Sequence, residues 1–264
     1  MDIYFTVYTL IIHFNALRFL AEPLVASKNN DISTAMNKTL KVVGIVTGIF
    51  LGAIFLLAVV FIYGSKYIGA KYEIDDPVYD ADKTWTFKAE FYDSNFNVLR
   101  TDTIILTTYD QRFLIFQNKV TWSLKKGNTE TTQTTGIRED QHEIWLHPPR
   151  FDGYSEFTEY SAFPAIKKPI SVEKEWNTSL MLGTYATQES GSKLIVNYSV
   201  ESIDTIHANP IVREVKIMGQ GTSGLGKRKN LMTFTEKLGF VKLDYSKENG
   251  EKLVIQLIGK KNRK

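Results

Sequence analysis

The sequence predicts a mainly β protein: a single N-terminal transmembrane helix followed by an antiparallel β-sandwich or a curled, barrel-like sheet. Three observations carry this. Val42 to Tyr63 is a run of 22 residues without charge, Asn, Gln or Pro. From Trp85 onward apolar residues recur with a period of two, the spacing of half-buried strands. After residue 70 no stretch of a dozen residues shows a convincing helical apolar stripe.

The apolar run comes first along the chain. As a helix it reaches about 30 Å, the thickness of a bilayer's hydrocarbon core. Lys38 and Lys41 precede it, and Tyr63, Tyr67 and Tyr72 follow it, with Lys66 and Lys71 among them. Tyrosine suits the headgroup region, where the ring is apolar and the hydroxyl stays wet. Gly44, Gly48 and Gly52 repeat every four residues, so one helix face is small enough to pair with a second copy. A cleaved signal peptide competes, with a cut after Ala70, but its apolar region is usually about 7–15 residues. The run therefore reads as an uncleaved signal anchor. Residues 1–35 fit poorly: Ile3–Ile12 is apolar, but His13, Asn15, Arg18 and Glu22 interrupt it. Met36 opens a short basic region of the kind that precedes a membrane segment, so residues 1–35 read as an over-extended or disordered N-terminus and 36–71 as the anchor. Lys28, Lys38 and Lys41 before the span balance Lys66, Lys71 and Lys83 after it, so charge alone does not orient it.

The remainder is neutral. Six of the 32 Lys and Arg and three of the 29 Asp and Glu precede residue 72, leaving 26 of each. That excludes the concentrated positive charge of a nucleic-acid surface. There is no cysteine, hence no disulfide framework, thiolate metal site or cysteine nucleophile. Residues 72–83, rich in Asp with one Pro, read as a solvated acidic linker. They lack the Gly and closing Glu of an EF-hand loop.

The β domain is expected over 84–259. Thr84–Tyr92 places Trp85, Phe87, Ala89 and Phe91 on one face. Thr103–Thr108, Arg112–Phe116, Val120–Leu124, Leu194–Val200, Ile211–Met218, Met232–Thr235, Phe240–Tyr245 and Lys252–Ile258 follow, separated by turn clusters such as Lys126-Gly127-Asn128 and Glu248-Asn249-Gly250. Nine or more such strands form a sandwich or a curled sheet. The basic tail 260–264 reads as a solvated terminus.

Trp145–Pro169 interrupts the strands with four of the chain's seven prolines and five aromatics after Trp145. Proline blocks ladder pairing and aromatics seek burial, so an ordered loop packed across the sheet is expected. It is the candidate binding surface, with Trp145, His147, Pro148, Pro149, Phe151, Tyr154, Phe157, Tyr160 and Phe163 as its residues.

Three motifs suggest chemistry and fail on context. Gly219–Arg228 contains both GxGxxG and GxxxxGK, but Arg228 stands where a P-loop needs Ser or Thr. A strand follows instead of a helix, so a flexible hairpin loop is expected. His142-Glu143…His147 is one residue longer than the zinc-protease HExxH, and Pro148-Pro149 ends any helix there. Ser155 lacks the glycines and the strand–turn–helix of a nucleophile elbow. No catalytic residue, cofactor or metal ligand is named.

Two stretches resemble known proteins. Ile144–Arg150, with Phe163-Pro164-Ala165-Ile166 and Pro169-Ile170, resembles a signature of uncharacterised envelope proteins of Bacteroidota-type bacteria. Val215–Leu257, through Phe234, Leu238-Gly239-Phe240-Val241-Lys242 and Gly250, resembles the C-terminal part of LolA-like half-barrel domains of unknown function. The resemblance implies a curled half-barrel sheet on the outer side of the inner membrane, in a periplasmic position, with an apolar concave face. Many such relatives are lipoproteins held by a cysteine; here the 42–63 helix takes that place. No functional residue is implied.

Two function classes follow. One is a membrane-anchored, non-enzymatic envelope domain that binds a lipid-like ligand or a protein partner, contacting the bilayer through Val42–Tyr63 and pairing through the GxxxG face. The other is a membrane-tethered hydrolase acting on envelope material, which requires His147 or His207 to meet an acid and a Ser.

Overall fold

A computed structural model describes residues 30–64, 69–72, 74–114, 116–151, 153–181, 193–206, 212–223 and 226–262. It divides into two units, residues 1–59 and 60–264. Expectations for residues 1–29, Lys66, Tyr67, His207, Gly224, Arg263 and Lys264 fall outside the described residues.

The apolar run forms helix α1, Asn30–Gly64. It starts upstream of Met36, so residues 30–35 continue the helix rather than precede it. Val43–Phe61 is long and apolar enough to cross a membrane, and none of this stretch is buried. Gly44, Gly48 and Gly52 have no atom within 4 Å of where a Cβ would stand.

The second unit is a β domain. Its strands are β1 (Lys83–Tyr92), β2 (Val98–Leu114), β3 (Gln117–Lys126), β4 (Thr129–Glu139), β5 (Glu143–Leu146), β6 (Ala165–Lys167), β7 (Glu175–Met181), β8 (Lys193–Ile206), β9 (Val212–Ser223), β10 (Gly226–Thr235), β11 (Gly239–Lys247) and β12 (Lys252–Asn262). A one-turn helix α2 (Ser155–Thr158) lies between β5 and β6. All twelve strands join one antiparallel sheet in the order β6-β5-β4-β3-β2-β1-β12-β11-β10-β9-β8-β7. The chain thus builds outward in hairpins on both sides of the β1–β12 pair. It leaves β6 and β7 as free edges, so the sheet is open and not a closed barrel.

Alternation decides which face is inside. Trp85, Phe87 and Ala89 of β1, Ile104 and Leu106 of β2, and Val120, Trp122 and Leu124 of β3 are buried at every second position. Leu194, Val196, Tyr198 and Val200 of β8 continue the pattern on the other arm. Strands β4 to β7 went unread in the sequence. β4 is mostly Thr with an exposed first half, and β5 and β6 have four and three residues. Arg112–Leu114 belongs to the same 17-residue strand as Thr103–Thr108, with register irregularities after Thr108 and Arg112 absorbing the polar break.

Curvature follows from hydrogen bonds. In a flat sheet β3 and β8 lie seven strands apart, roughly 34 Å at about 4.8 Å per strand. Yet Trp122 of β3 donates to the His147 carbonyl and Tyr198 of β8 to the Phe163 carbonyl. The His147 and Phe163 rings are 4.9 Å apart. The two arms therefore bend toward each other around the 147–166 segment, consistent with the half-barrel expected.

Two expectations are corrected here. The 72–83 stretch is not a solvated linker: Tyr79 is fully buried against Trp85, ring centroids 5.0 Å apart. The basic tail is not a free terminus either. Lys260, Lys261 and Asn262 extend β12 opposite Trp85, Thr84 and Lys83. Lys260 Nζ donates to the Val78 and Lys237 carbonyls and lies 4.7 Å above the Trp85 ring.

Candidate functional site

The segment from His147 to Ile166 fills the inside of the curve. Its Pro148 and Pro149 cannot donate to a ladder, which releases the chain from β5 and turns it inward. Three sheet side chains then catch its carbonyls: Trp122 Nε1 on His147 at 2.8 Å, Asn230 Nδ2 on Ala162 at 2.9 Å, and Tyr198 hydroxyl on Phe163 at 3.1 Å. Thr158 Oγ1 donates to the Pro149 carbonyl at 2.7 Å, and the Arg150 N–H donates to Gln133 Oε1 at 2.8 Å. Aromatic packing supplies the bulk. Tyr154 meets Phe91 edge-on at 5.0 Å and Phe151 at 5.2 Å, while Phe157 meets Phe91 at 5.8 Å.

This places every residue of the expected binding loop. Pro148, Pro149, Phe151, Tyr154, Phe157 and Phe163 are buried; Trp145, His147 and Tyr160 are half-buried. The loop lies across the sheet, but its side chains form core. Six of the nine are core rather than displayed surface, and Trp145, His147 and Tyr160 stay partly exposed.

Most polar groups inside this plug are paired, the buried Ser161 hydroxyl being an exception. The Tyr154 hydroxyl donates to Asp102 Oδ2 at 3.1 Å, and Arg100 Nε reaches the same oxygen at 2.7 Å with its guanidinium over the Phe91 ring. Arg150 forms an ion pair with Glu159. His147 Nδ1 lies 3.0 Å from the Pro148 carbonyl, so Nδ1 carries the proton. Burial, reinforced by nearby Arg150, pulls its pKa down to about 4 and keeps the ring neutral.

At the end of the sheet where β1 begins, the arms leave an open cavity of about 390 Å³. Ile74, Val78, Ile144, Ile170 and Phe234 supply its apolar wall, and Asp76, Glu139, Lys168, Arg213 and Glu236 its charge. Glu139 is buried and accepts the Val78 N–H at 2.8 Å on one oxygen and the Tyr79 N–H at 2.9 Å on the other. Burial raises its pKa above the ordinary glutamate value, against the pull of the two N–H groups and of Lys168 and Lys260. Tyr79 completes this latch by accepting the Phe240 N–H at 2.8 Å on its hydroxyl oxygen. Gly239 beside it has φ +83°, and a Cβ there would stand 2.4 Å from the Tyr79 hydroxyl, so only glycine fits. The sequence offered no signal for Glu139, which sits at the end of a polar strand.

The catalytic and metal motifs do not assemble. His147 faces Trp145 and Phe163, and His142 Nε2 faces Gln141, 3.2 Å away. Among the described residues no group of three His, Cys, Asp or Glu is placed to hold a metal. Ser155 begins α2 rather than a nucleophile elbow. Gly219 and Gly221, expected in a flexible loop, are in β9 instead. A Cβ on Gly219 would stand 2.2 Å from that of Ala162, so this glycine makes room for the plug.

No protein-family model matches the chain, and no curated protein matches it. Solved structures do. An exported protein with a YmcC-like fold from Bacteroides fragilis, so assigned, is 8% identical with a TM-score of 0.33, covering 69% of this chain and 97% of its own. A protein from Parabacteroides distasonis described as a lipoprotein is 9% identical with a TM-score of 0.37, covering 69% of this chain and 96% of its own. At these values neither neighbour transfers a residue role or an activity to this chain.

Proposed function

We propose that the chain is a membrane-anchored, non-enzymatic module of the cell envelope that works by binding a protein partner, not by carrying a lipid. The observation that carries this reading is the filled interior. A lipid carrier needs its concave apolar face vacant, and here residues 147–166 occupy it with their own aromatic rings. The cavity of about 390 Å³ at the end of the sheet where β1 begins is open and carries charge in its wall, at the small end for ligand pockets. The exposed α1 helix supports anchoring. An outward-facing β domain rests on its globular, cysteine-free sequence and on the envelope resemblance. The hydrolase alternative finds no Ser–His–acid contact among the described residues.

Native mass spectrometry of the detergent-extracted full chain tests this. The expected species are the polypeptide alone, its dimer, or its complex with another protein. A lipid retained in stoichiometric amount after the detergent is stripped overturns the reading in favour of lipid binding.

A further inference from the structure

The β2–β3 hairpin carries two exposed apolar side chains at its tip, Leu114 (46% exposed) and Phe116 (78%). Phe116 is more exposed than any side chain of the apolar helix, where Phe55 reaches 71% among the described residues.

The base of the same hairpin fastens the chain that arrives from the helix. The Ala70 N–H donates to Asp110 Oδ1 at 3.1 Å and the Lys71 N–H to Asn118 Oδ1 at 3.0 Å. Asn118 Nδ2 returns a bond to the Lys71 carbonyl at 3.2 Å, and Arg112 Nε reaches the Gly69 carbonyl at 3.3 Å. Four residues separate Gly64, the last of α1, from Gly69. A chain of that length spans at most roughly 18 Å. Where α1 crosses a bilayer, the hairpin base therefore cannot stray farther than that from the end of the span. The tip lies at the end of the sheet where β1 begins, beyond the residues that hold the tether.

We propose that the β2–β3 tip is a second membrane contact, in which Leu114 and Phe116 enter the headgroup–acyl boundary of the bilayer that α1 spans. Arg112 and Lys119 flank the tip on its two strands and Lys71 lies at its base, while Asp110, Glu139 and Asp140 lie in the same region. The contact is therefore made by the apolar side chains and not by a net positive charge. The β1–β2 turn at the opposite end of the sheet differs. It also exposes apolar groups, Phe96, Val98 and Leu99, with Lys252 over the Phe96 ring, but among the described residues no tether is bound to it. The inference rests on α1 spanning the membrane, and the test separates the two.

The chain has no cysteine, so single-cysteine labelling is clean. Full-length Phe116→Cys, Leu99→Cys and Leu56→Cys are each labelled with bimane, whose ring restores apolar bulk. They are then placed in vesicles of phosphatidylcholine and phosphatidylglycerol. Quenching by doxyl-labelled lipid and by aqueous iodide is read for each. The expected result is lipid quenching at 56 and 116 but not at 99, with iodide quenching several-fold weaker at 116 than at 99. Lipid quenching at 56 with iodide-accessible, lipid-silent 116 overturns the tip proposal and leaves the anchor. Shielding at 116 from both quenchers overturns it too, in favour of a protein partner or second copy on the tip. No lipid quenching at 56 removes the anchor reading and the tip proposal with it.

Discussion

Two segments leave the strand pattern and still reach the core: the plug at 147–166 and the latch at 74–79. They are held by opposite means. The plug is caught by its carbonyls, which accept from Trp122, Asn230 and Tyr198 on strands of both arms. The latch is caught by its N–H groups, which converge on the Glu139 carboxylate. Aromatic mass dominates the plug, whereas the latch has one large ring, Tyr79. His147 of the plug and Glu139 of β4, which holds the latch, are both titratable. Burial disfavours the charged form of both, which gives these two groups opposite responses to pH. The lesson is that a chain without strand periodicity can be as much a part of the core as the sheet that receives it.

Removing the rings tests the comparison hardest. Tyr154→Ala and Tyr79→Ala each delete a fully buried aromatic, expected to cost about 3–5 kcal/mol. For a domain this size that lowers Tm by about 10 °C, read by thermal denaturation. The phenylalanine variants separate the two sites. Tyr154→Phe removes a donor to Asp102, which keeps Arg100 as a partner. Tyr79→Phe strands the buried Phe240 N–H, at about 1–3 kcal/mol. A larger loss for Tyr154→Phe than for Tyr79→Phe breaks the contrast between mass and hydrogen bonding.

Acid distinguishes the segments next. His147 titrates near 4 when folded against about 6.5 unfolded. A depressed folded pKa gives stability that is present above the unfolded value and lost as pH falls through the folded one. The loss between roughly pH 6.5 and 4 is on the order of 3 kcal/mol. His147→Phe is expected to flatten that slope, so the wild-type advantage over the variant grows as pH rises across the window. Urea unfolding at a series of pH values checks this; parallel curves for the two proteins would remove His147 as the source.

Glu139 gives a smaller effect of opposite sign. Its folded pKa is raised above the ordinary value. Its contribution is therefore fully present below the unfolded pKa and declines as pH rises through the folded one. Glu139→Gln accepts from only one of the two N–H groups but carries no charge to desolvate. Wild type minus variant, measured in the same urea series, is expected to fall with rising pH above about 4.3. A difference that is constant over that range counts against titration of Glu139.

How much of this was readable follows from the same physics. Strands that alternate strongly, such as Thr84–Tyr92 and Lys252–Ile258, showed themselves because one face is apolar and the other wet. β4 did not, since its threonines are mostly exposed and only Thr135, Gly136, Ile137 and Glu139 near its end turn inward. The plug was legible as a Pro- and aromatic-rich loop that seeks burial, but the sequence does not state what covers a ring. A sheet and a ligand leave the same signal in Phe157. The latch was illegible: EIDDPVYDAD is polar by composition, and its burial rests on one tyrosine and on a glutamate some sixty residues away. Gly219 read as loop chemistry because a glycine that admits Ala162 is indistinguishable in sequence from one that bends a turn.

The smallest effect on the fold is expected where the contrast with the core is greatest. Gly48 lies on a helix face with nothing within 4 Å of a would-be Cβ, so Gly48→Leu meets no clash within the chain. It also replaces a residue that disfavours helix with one that favours it. Thermal denaturation of the β domain is therefore expected to be unchanged. What the substitution blocks is close approach of a second helix along Gly44, Gly48 and Gly52, because backbones meet there only across small side chains. If the chain pairs through this face, cross-linking in vesicles yields a dimer for the wild type and loses it in Gly48→Leu. An equal dimer yield from both proteins excludes the glycine face as the contact. A fall in β-domain Tm would show instead that Gly48 is packed against the domain. The apolar helix and the apolar plug thus differ in one measurable respect: enlarging a residue on the first is expected to leave folding unchanged, whereas on the second it is expected to disturb it.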